Sequence, residues 1–352
     1  MDLYNLATAL TYDDVLIVPQ RSAIRSRSQV SLASQLTRDI AMQTPVIAAN
    51  MDTVCGWEMA ATMSKLGAVG IIHRFLPIKD HAAEVKRAYE VSAGGTIGAA
   101  IGTDHDMIER ATACANAGAT VVVLDIAHGH AEHAIEGVRR LKGEAPQVQV
   151  IAGNVATAAG ALDLAEAGAD AIKVGVGPGG VCTTRLVAGV GVPQLTAISD
   201  AVNANCGVPI IADGGIRTSG DIAKALAVGA SSVMIGSMFA GTKEAPGEVE
   251  QSEDGLFKRV RGMASREAAE QRAERAGEQL DEDYFEHRAA EGVEGLVPYR
   301  GSAKDLVNEL MAGVKSSMSY SNSATLAEFA ERAQMVRITG AGLNENHPHA
   351  TR

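Results

Sequence analysis

The sequence predicts an α/β fold, a (β/α)8 TIM barrel, that occupies residues 1–352 as a single domain. Eight short apolar runs recur along the chain, each bounded by Gly, Pro or Asp. The runs are continuous rather than alternating, which is typical of parallel strands that are buried on both faces. Segments with helical spacing separate them, and several of these end in Gly, which favours a helix C-terminus. Eight strand–helix units within about 200 residues favour a barrel over a doubly wound sheet.

Polar side chains gather at one end of the predicted barrel. The strands lie at 44–52, 67–75, 96–102, 120–129, 148–154, 170–177, 208–215 and 231–237. Seven polar residues stand at or just after their C-terminal ends: Asn50, Asp52, His73, Asp125, Asn154, Asp213 and Ser237. Barrel enzymes carry their catalytic groups at that end, so these residues predict an active site. Capping of the next helix is the alternative role, and for His73 and Asn154 it stands on equal terms.

Two stretches lie outside the barrel pattern. Residues 243–298 form a charged insertion after the last barrel strand, with little apolar periodicity. Such an insertion is either disordered or a mobile flap over the site. The C-terminal tail, 331–352, continues a helical segment and ends in Gly, Asn and His. We expect it either to bind a neighbouring subunit or to fray.

Composition excludes several classes of protein. The chain has 31 Lys and Arg against 42 Asp and Glu, a net charge of −11, which argues against a nonspecific surface for nucleic acid or for an anionic membrane. No apolar run reaches the length of a membrane span, and the N-terminus lacks the basic-then-apolar pattern of a secretion signal. The four cysteines form no C-x-x-C pair, so neither a zinc site nor a disulfide framework is indicated. We therefore expect a cytoplasmic protein.

The segment GVGPGGVCTTR, residues 175–185, carries the strongest chemical signal. Four glycines follow a predicted strand, so the backbone groups of this loop can turn toward a ligand or an ion. Cys182 stands just beyond them. A single Cys is most often inert packing, but a Cys in a glycine-rich loop at the catalytic end of a barrel favours a nucleophile.

Two further glycine-rich loops, 212–221 and 235–242, follow the last two strands. Loops in that position form the usual phosphate site of a barrel. Asp213 lies just before the first loop and can accept both hydroxyls of a ribose, although capping of the next helix is the alternative. A phosphate site beside a diol acceptor indicates a nucleotide.

With these motifs the sequence resembles the IMP dehydrogenase/GMP reductase family. Besides the Cys182 loop, the resemblance is carried by TYDDVLIVPQ (11–20), AANMDTV (48–54), LDIAHGH (124–130), GNVAT (153–157), GVGVPQLTAI (189–198), ADGGIRTSGDIAKAL (212–226) and GSMFAGTKEAPGE (236–248). It implies that Cys182 attacks C2 of a purine nucleotide to give a thioimidate, while hydride passes between C2 and a nicotinamide. It also implies a homotetramer.

The resemblance further implies roles for particular residues. A nicotinamide cofactor, NADPH or alternatively NAD, would contact Asp125, Ala127, His128 and Gly175. The nucleotide would contact Asn50, Met51, Asp213, Gly214, Gly215, Gly236, Ser237, Gly262 and Met263. A potassium ion would be held at Gly175, Gly177 and Cys182.

Features of both branches of the family occur in this chain. The paired regulatory module that dehydrogenases usually insert after the second strand is absent, and Asn50 resembles the reductases. Where the dehydrogenases have an Arg-Tyr pair on the flap, this chain reads Asp283-Tyr284, so the guanidinium that activates water is missing. Thr184 and Glu291 remain, the pair that in reductases resembles a proton relay for departing ammonia.

Other segments resemble the dehydrogenases. They are GVGVPQ, AHGH, TKEAPGE and TGAGLNENHPH, and Gly180 replaces the phosphate-binding serine that is common there. Because the flap touches the step that separates the two reactions, we expect an NADPH-dependent GMP reductase. The alternatives are an IMP dehydrogenase without the regulatory module and a nucleotide-binding barrel without turnover.

Overall fold

The computed structural model describes residues 5–276 and 289–348, and it contains a closed barrel of eight parallel strands. Numbered along the chain, the strands are β1 Val15–Ile17, β2 Ser34–Gln35, β3 Ala41–Met42, β4 Val46–Ala48, β5 Val69–Ile72, β6 Gly98–Ile101, β7 Val121–Asp125, β8 Gln149–Val155, β9 Ala171–Val174, β10 Ile210–Asp213, β11 Ser232–Ile235, β12 Glu250–Ser252, β13 Gly255–Arg261, β14 Glu294–Pro298 and β15 Met335–Arg337. The barrel runs from β4 to β11, and β11 closes it by pairing with β4. Each barrel strand falls within one of the eight predicted runs, except that β8 extends one residue further, to Val155.

Helices follow the barrel strands and cover their outer face. They are α1 Trp57–Lys65, α2 Ile78–Val91, α3 Met107–Asn116, α4 Glu132–Glu144, α5 Ala158–Glu166, α6 Thr184–Val187, α7 Gln194–Asn203, α8 Ser219–Ala227, α9 Ser237–Ala240, α10 Arg266–Ala276, α11 Ala303–Tyr320, α12 Leu326–Arg332 and α13 Gly340–Glu345. The predicted glycine ends are confirmed: Gly118 and Gly168 have φ of 110° and 108°, a conformation that favours glycine. The barrel prediction is therefore confirmed.

The interior of the barrel changes from apolar to polar toward the C-terminal ends of its strands. Val123, Ala171 and Ile211 belong to the inner apolar cluster. Because side chains alternate along a strand, the residues two positions further on point into the same interior. Those residues are Asp125, Lys173 and Asp213, so the uppermost layer of the barrel carries two carboxylates and an ammonium.

The insertion between β11 and α11 is ordered over most of its described part, so the expectation of disorder is wrong there. Strands β12, β13 and β14 form an antiparallel sheet. The fully buried Lys258 of β13 donates to the carbonyls of Thr242 and Ala245 at 3.0 and 2.5 Å. This buried lysine links the sheet to the loop that follows the last barrel strand. The charged composition of the segment suggested solvent exposure, so the link was not predicted. The Asp283-Tyr284 segment lies outside the described residues, and flap mobility stays a prediction.

The C-terminal tail pairs with the start of its own chain. Strand β15 lies antiparallel to β1, with Leu16 opposite Val336, and the Ile338 N–H donates to the Asp14 carbonyl at 2.8 Å. The expectation of a fraying tail is therefore wrong for these residues, because an edge strand satisfies their backbone groups. Across the described ranges, we find no helix that is long and apolar enough to span a membrane.

Candidate active site

Cys182 lies on a loop whose backbone is bonded to a segment more than a hundred residues away. The Val293 N–H donates to the Val181 carbonyl at 3.0 Å, and the Thr183 N–H donates to the Glu291 carbonyl at 2.9 Å. These bonds form a short antiparallel ladder on either side of Cys182, which fixes the register of the loop.

The end of β13 forms the third strand of this small assembly. The Gly262 N–H donates to the Val293 carbonyl, and the Glu291 N–H donates to the Ala264 carbonyl, both at 3.0 Å. A Cβ atom on Gly262 would lie 2.6 Å from the Val181 carbonyl oxygen, so only glycine fits at this crossing. The ends of the insertion thus build one wall of the site.

A thiol, a hydroxyl and a carboxylate meet at this wall. The Cys182 Sγ lies 3.2 Å from the Thr184 Oγ1, within hydrogen-bonding reach for sulfur. Glu291 lines the same cavity and is half-buried, as are Cys182 and Thr184. A nucleophile with a hydroxyl beside it and a carboxylate in the same cavity provides the groups that covalent catalysis with proton transfer needs.

Two adjoining cavities open at the C-terminal end of the barrel. One, of about 390 Å³, contains Cys182, and the other, of about 470 Å³, extends along the 214–217 and 236–238 loops. They share Met51 and Asp213 among their lining residues. These volumes are typical of small-ligand sites, and the contact between them suits two ligands that react with each other.

Lys173 joins two of the predicted ligand-binding carboxylates. Its Nζ donates to Asp125 Oδ1 and to Asp213 Oδ2, both at 2.8 Å, and also to Asn154 Oδ1. Burial opposes ionisation of Asp125, but the Lys173 ammonium and the Asn50 amide lower the pKa of this carboxyl below its usual value. Both carboxylates therefore have charge-stabilising donors before any ligand arrives.

The glycines after β10 give the second cavity its shape. Gly214 and Gly215 have φ of 93° and 80°, in the left-handed region. A Cβ on Gly214 would lie 2.9 Å from Pro178 Cγ, so a side chain there would collide with the loop that leads to Cys182. The backbone of this turn therefore lines the cavity directly.

The structure brings most of the predicted site residues together. Around the first cavity lie Asn50, Met51, Asp125, Ala127, Gly175, Gly177, Cys182, Thr184, Asp213, Gly214, Gly262, Met263 and Glu291. Gly215, Gly236 and Ser237 line the second. His128 lies outside both: it is exposed, and its ring is 6.4 Å from that of His130. The individual roles of these residues stay predictions.

The capping alternatives are wrong for the polar residues at the strand ends. The N-caps of α5 and α8 are Thr157 and Thr218, whose hydroxyls accept the expected N–H bonds. Asn154 instead donates to Asp213 Oδ2 at 2.8 Å and to the Gly175 carbonyl at 2.7 Å. His73 is buried and stacks with a neighbouring phenylalanine, while Pro77 precedes α2.

The loop proposed for potassium already has internal donors. The Gly175 carbonyl accepts from Asn154, and Arg185 donates to the carbonyls of Val176 and Val192 at 3.2 and 2.6 Å. A carbonyl has two lone pairs, so the Gly175 oxygen keeps capacity for a cation. Potassium binding at Gly175, Gly177 and Cys182 stays a prediction.

Sequence comparison agrees with this architecture. The domain described as "IMP dehydrogenase / GMP reductase domain" matches residues 9–349 of the chain. The chain belongs to the IMP dehydrogenase/GMP reductase family. It is thus an oxidoreductase of purine nucleotide metabolism, and the matched residues include the whole barrel.

Relatives in this family carry both names. The IMP dehydrogenase of Cryptosporidium parvum is 40% identical over 398 residues, covering 99% of this chain and 97% of the relative. The GMP reductase of Leishmania major is 35% identical over 482 residues, with 99% and 98% coverage. A crystal structure of a cysteine-to-alanine variant of GMP reductase from Trypanosoma brucei, in complex with guanosine 5'-monophosphate, is 33% identical, with a TM-score of 0.92 and 99% of each chain covered.

Chain length does not separate the two branches. The alignment with the Leishmania major reductase runs over 482 residues, far beyond the 352 residues of this chain, whereas that with the Cryptosporidium parvum dehydrogenase is much shorter. The absence of an inserted module therefore gives no support to a reductase, contrary to the expectation from sequence. The choice between the two reactions therefore depends on the flap sequence and on the residues around Cys182.

Two buried charged residues that were not identified from the sequence hold other polar residues in place at this end of the barrel, Lys173 and Arg261. Lys173 stands within an apolar strand. The one sequence feature that could have identified it is its position in the strand, which points its side chain into the barrel as for Asp125 and Asp213. Arg261, at the end of β13, binds Asp52 from a part of the chain that composition alone marks as irregular.

Proposed function

We propose that this protein is a GMP reductase, which converts GMP to IMP and ammonia with NADPH. The observation that carries the proposal is the grouping of Cys182, Thr184 and Glu291 on one cavity wall, with Sγ and Oγ1 3.2 Å apart. These are the residues that deamination needs. The flap position where the dehydrogenases resemble one another in an arginine is Asp283 here, and a carboxylate cannot act as that guanidinium does.

Cys182 serves as the nucleophile. Its sulfur forms a bond to C2 of the guanine, and the exocyclic amine leaves C2 as ammonia, giving a thioimidate. A nicotinamide cofactor bound in the first cavity would supply the hydride for C2, after which the C–S bond would break to release IMP and the free thiol. The net reaction replaces the amino group at C2 by hydrogen and consumes one hydride and one proton.

Thr184 and Glu291 move the protons of this sequence. The Thr184 hydroxyl lies beside the sulfur and can relay a proton between the thiol and a group further out. Glu291, on the same wall, is the titratable group that takes up and returns that proton as ammonia departs. The backbone bond between Thr183 and Glu291 holds the two side chains' segments in register.

The second cavity suits the ribose phosphate of the nucleotide. Asp213 stands where the two cavities meet and accepts ribose hydroxyls, while the Gly214 and Gly215 turn and the Gly236–Ser237 loop surround the phosphate. Gly180 replaces the serine that is common in the family. A Cβ at Gly180 would lie 3.3 Å from Ser237 Oγ, so the Ser237 hydroxyl lies next to the position that a serine side chain at residue 180 would take.

The first cavity suits the nicotinamide end of the cofactor. Asp125, Ala127 and Gly175 lie along one side of it, and Gly262 and Met263 along the side that the insertion contributes. The ionised Asp125 is a fitting acceptor for a ribose diol, since Lys173 and Asn50 stabilise its charge. Asn50 lines this cavity, and Met51 lines both cavities.

IMP dehydrogenase activity with NAD is the second candidate. The 40% identity to the Cryptosporidium parvum dehydrogenase favours it, and in that case Thr184 and Glu291 activate the attacking water instead of moving protons for departing ammonia. Assays with GMP plus NADPH and with IMP plus NAD, followed by absorbance at 340 nm, separate the two. A protein that binds GMP but turns over neither nucleotide supports a binding barrel without activity.

Assembly and ion dependence complete the proposal. We expect a homotetramer, checked by light scattering at micromolar concentration, where a monomer contradicts it. Potassium held at the carbonyls of Gly175, Gly177 and Cys182 should make turnover faster in potassium than in sodium chloride at equal ionic strength. Equal rates in the two salts contradict that site.

A further inference from the structure

The ammonium of Lys173 is fully committed within the protein. An ammonium group has three N–H donors, and the structure provides three acceptors: Asp125 Oδ1, Asn154 Oδ1 and Asp213 Oδ2. Lys173 is 2% exposed. It has no donor left for a ligand, so any role in the reaction has to act through the residues that it holds.

Those residues stand on both sides of the junction between the cavities. Asp125 lines the first cavity, and Asp213 lines both. Each has one carboxylate oxygen 2.8 Å from the same nitrogen atom, so the two carboxylates are close neighbours in a buried setting. Two like charges so placed repel strongly without a cation between them.

We propose that Lys173 is a positioning residue whose single ammonium holds the Asp125 and Asp213 carboxylates at a fixed separation, so that cofactor and nucleotide bind to a prearranged pair. The inference rests on the proposed function for the roles of the two carboxylates. It adds that the two ligand sites depend on one shared cation.

The charge balance supports this. Burial opposes the charged form of Lys173, yet Asp125 and Asp213 raise the pKa of its ammonium above the usual value, so it stays charged. The other ionisable groups that face the pair are Arg74 beside Asp125, Tyr12 beside Asp213, and Cys182 and Glu291 on the cavity wall. Lys173 is the group whose hydrogen bonds reach both carboxylates.

Removing the cation should weaken both ligand sites at once. In Lys173→Met the two carboxylates lose the donor that they share and repel each other, so neither keeps its position for a ligand. We expect the Kd for nucleotide and the Kd for the nicotinamide cofactor each to rise at least about tenfold at one fixed pH.

The experiment measures by calorimetry, at one pH, the binding of GMP, of IMP and of the nicotinamide cofactor that the wild type binds. Lys173→Arg keeps a cation, so it should recover much of the affinity that Lys173→Met loses. Lys142→Met is the matched control, since it removes a lysine 2.8 Å from Asp170, away from both cavities, and should leave each Kd unchanged.

Unchanged Kd values in Lys173→Met overturn the proposal, as does a loss in Lys173→Arg equal to that in Lys173→Met. Lys173→Met/Asp125→Asn removes one charge of each sign, so Asp213 is no longer repelled and nucleotide should bind more tightly than to Lys173→Met. If Lys173→Met does not fold, the double variant is measured alone, and loss of all nucleotide binding there contradicts the inference. Binding of IMP but not GMP would count against the proposed reductase, while the Lys173 comparison would still be decided with IMP.

Discussion

The guanidinium of Arg261 binds both carboxylate oxygens of Asp52, and the two side chains are almost fully buried. Nε lies 3.1 Å from each oxygen. Asp52 follows the first barrel strand, and Arg261 ends β13 just before Gly262. The pair therefore joins the insertion to the barrel next to the segment that supports Cys182.

Breaking this pair should destabilise the protein strongly. Arg261→Met leaves the buried Asp52 carboxyl without its guanidinium partner, and we expect the free energy of unfolding to fall by about 3–5 kcal/mol in urea denaturation. Arg266→Met is the control, because its 2.8 Å pair with Glu270 is exposed and contributes at most about 1 kcal/mol. Equal losses in the two variants would contradict the role of the Asp52 pair.

Cys182 should be indispensable for turnover but not for binding. Cys182→Ala removes the sulfur that bonds to C2 while leaving Asp213 and the glycine loops in place, so we expect no detectable activity and GMP affinity within about threefold of wild type. Cys206→Ala, at another partly exposed cysteine, serves as control and should keep full activity. Activity of Cys182→Ala within tenfold of wild type would show a structural role instead.

The four thiols should differ in their reaction with iodoacetamide. Burial raises the pKa of Cys114 to about 12 and also raises that of Cys55, so neither forms thiolate near neutral pH. Cys182 and Cys206 are partly exposed. Mass spectrometry of the native protein should find label on these two alone, and early labelling of Cys55 or Cys114 would contradict the buried packing.

Glu291 and Thr184 should be needed for turnover but not for GMP binding. Glu291→Gln keeps the shape of the side chain but cannot carry a proton, so kcat for GMP reduction should fall by about 100-fold or more, while GMP affinity changes little. Thr184→Val should behave similarly, and Thr183→Val is its matched control one position away. Asp283→Arg should give at most a weak gain in IMP oxidation. Unchanged kcat in Glu291→Gln would remove Glu291 from the mechanism.

Acid stability should depend on His81. Burial, with Arg110 and His73 nearby, lowers the pKa of this imidazole to about 3. The unfolded chain then binds more protons than the folded one below its ordinary pKa of about 6.5, so stability is lost as the pH falls from there toward 3. His81→Leu should lose about 2–3 kcal/mol less than wild type between pH 7 and pH 4.5 in urea denaturation. The exposed His105→Leu should follow wild type, and an identical loss in His81→Leu would contradict the assignment.

The barrel could be predicted from sequence because each of its strands is a local apolar run with a clear end. The insertion could not, since β13 places the exposed Arg259 next to the buried Lys258, and a charged residue in a sequence usually indicates solvent exposure. The pairing of 181–183 with 291–293 is also invisible locally, because its register depends on segments far apart in the chain. Lys173 could not be predicted for another reason. A single lysine in an apolar strand has no evident role until the structure shows that it faces the carboxylates of Asp125 and Asp213.

The direction of the chemistry at Cys182 can be measured with one pair of assays. Purified protein is supplied with GMP and NADPH, and in parallel with IMP and NAD, while absorbance at 340 nm is followed. We predict that absorbance falls with GMP and NADPH, with IMP and ammonia as products, and that IMP with NAD gives little or no rise. Steady formation of NADH from IMP at several turnovers per second, a rate typical of enzymes, with GMP left untouched, would contradict the account and establish the dehydrogenase.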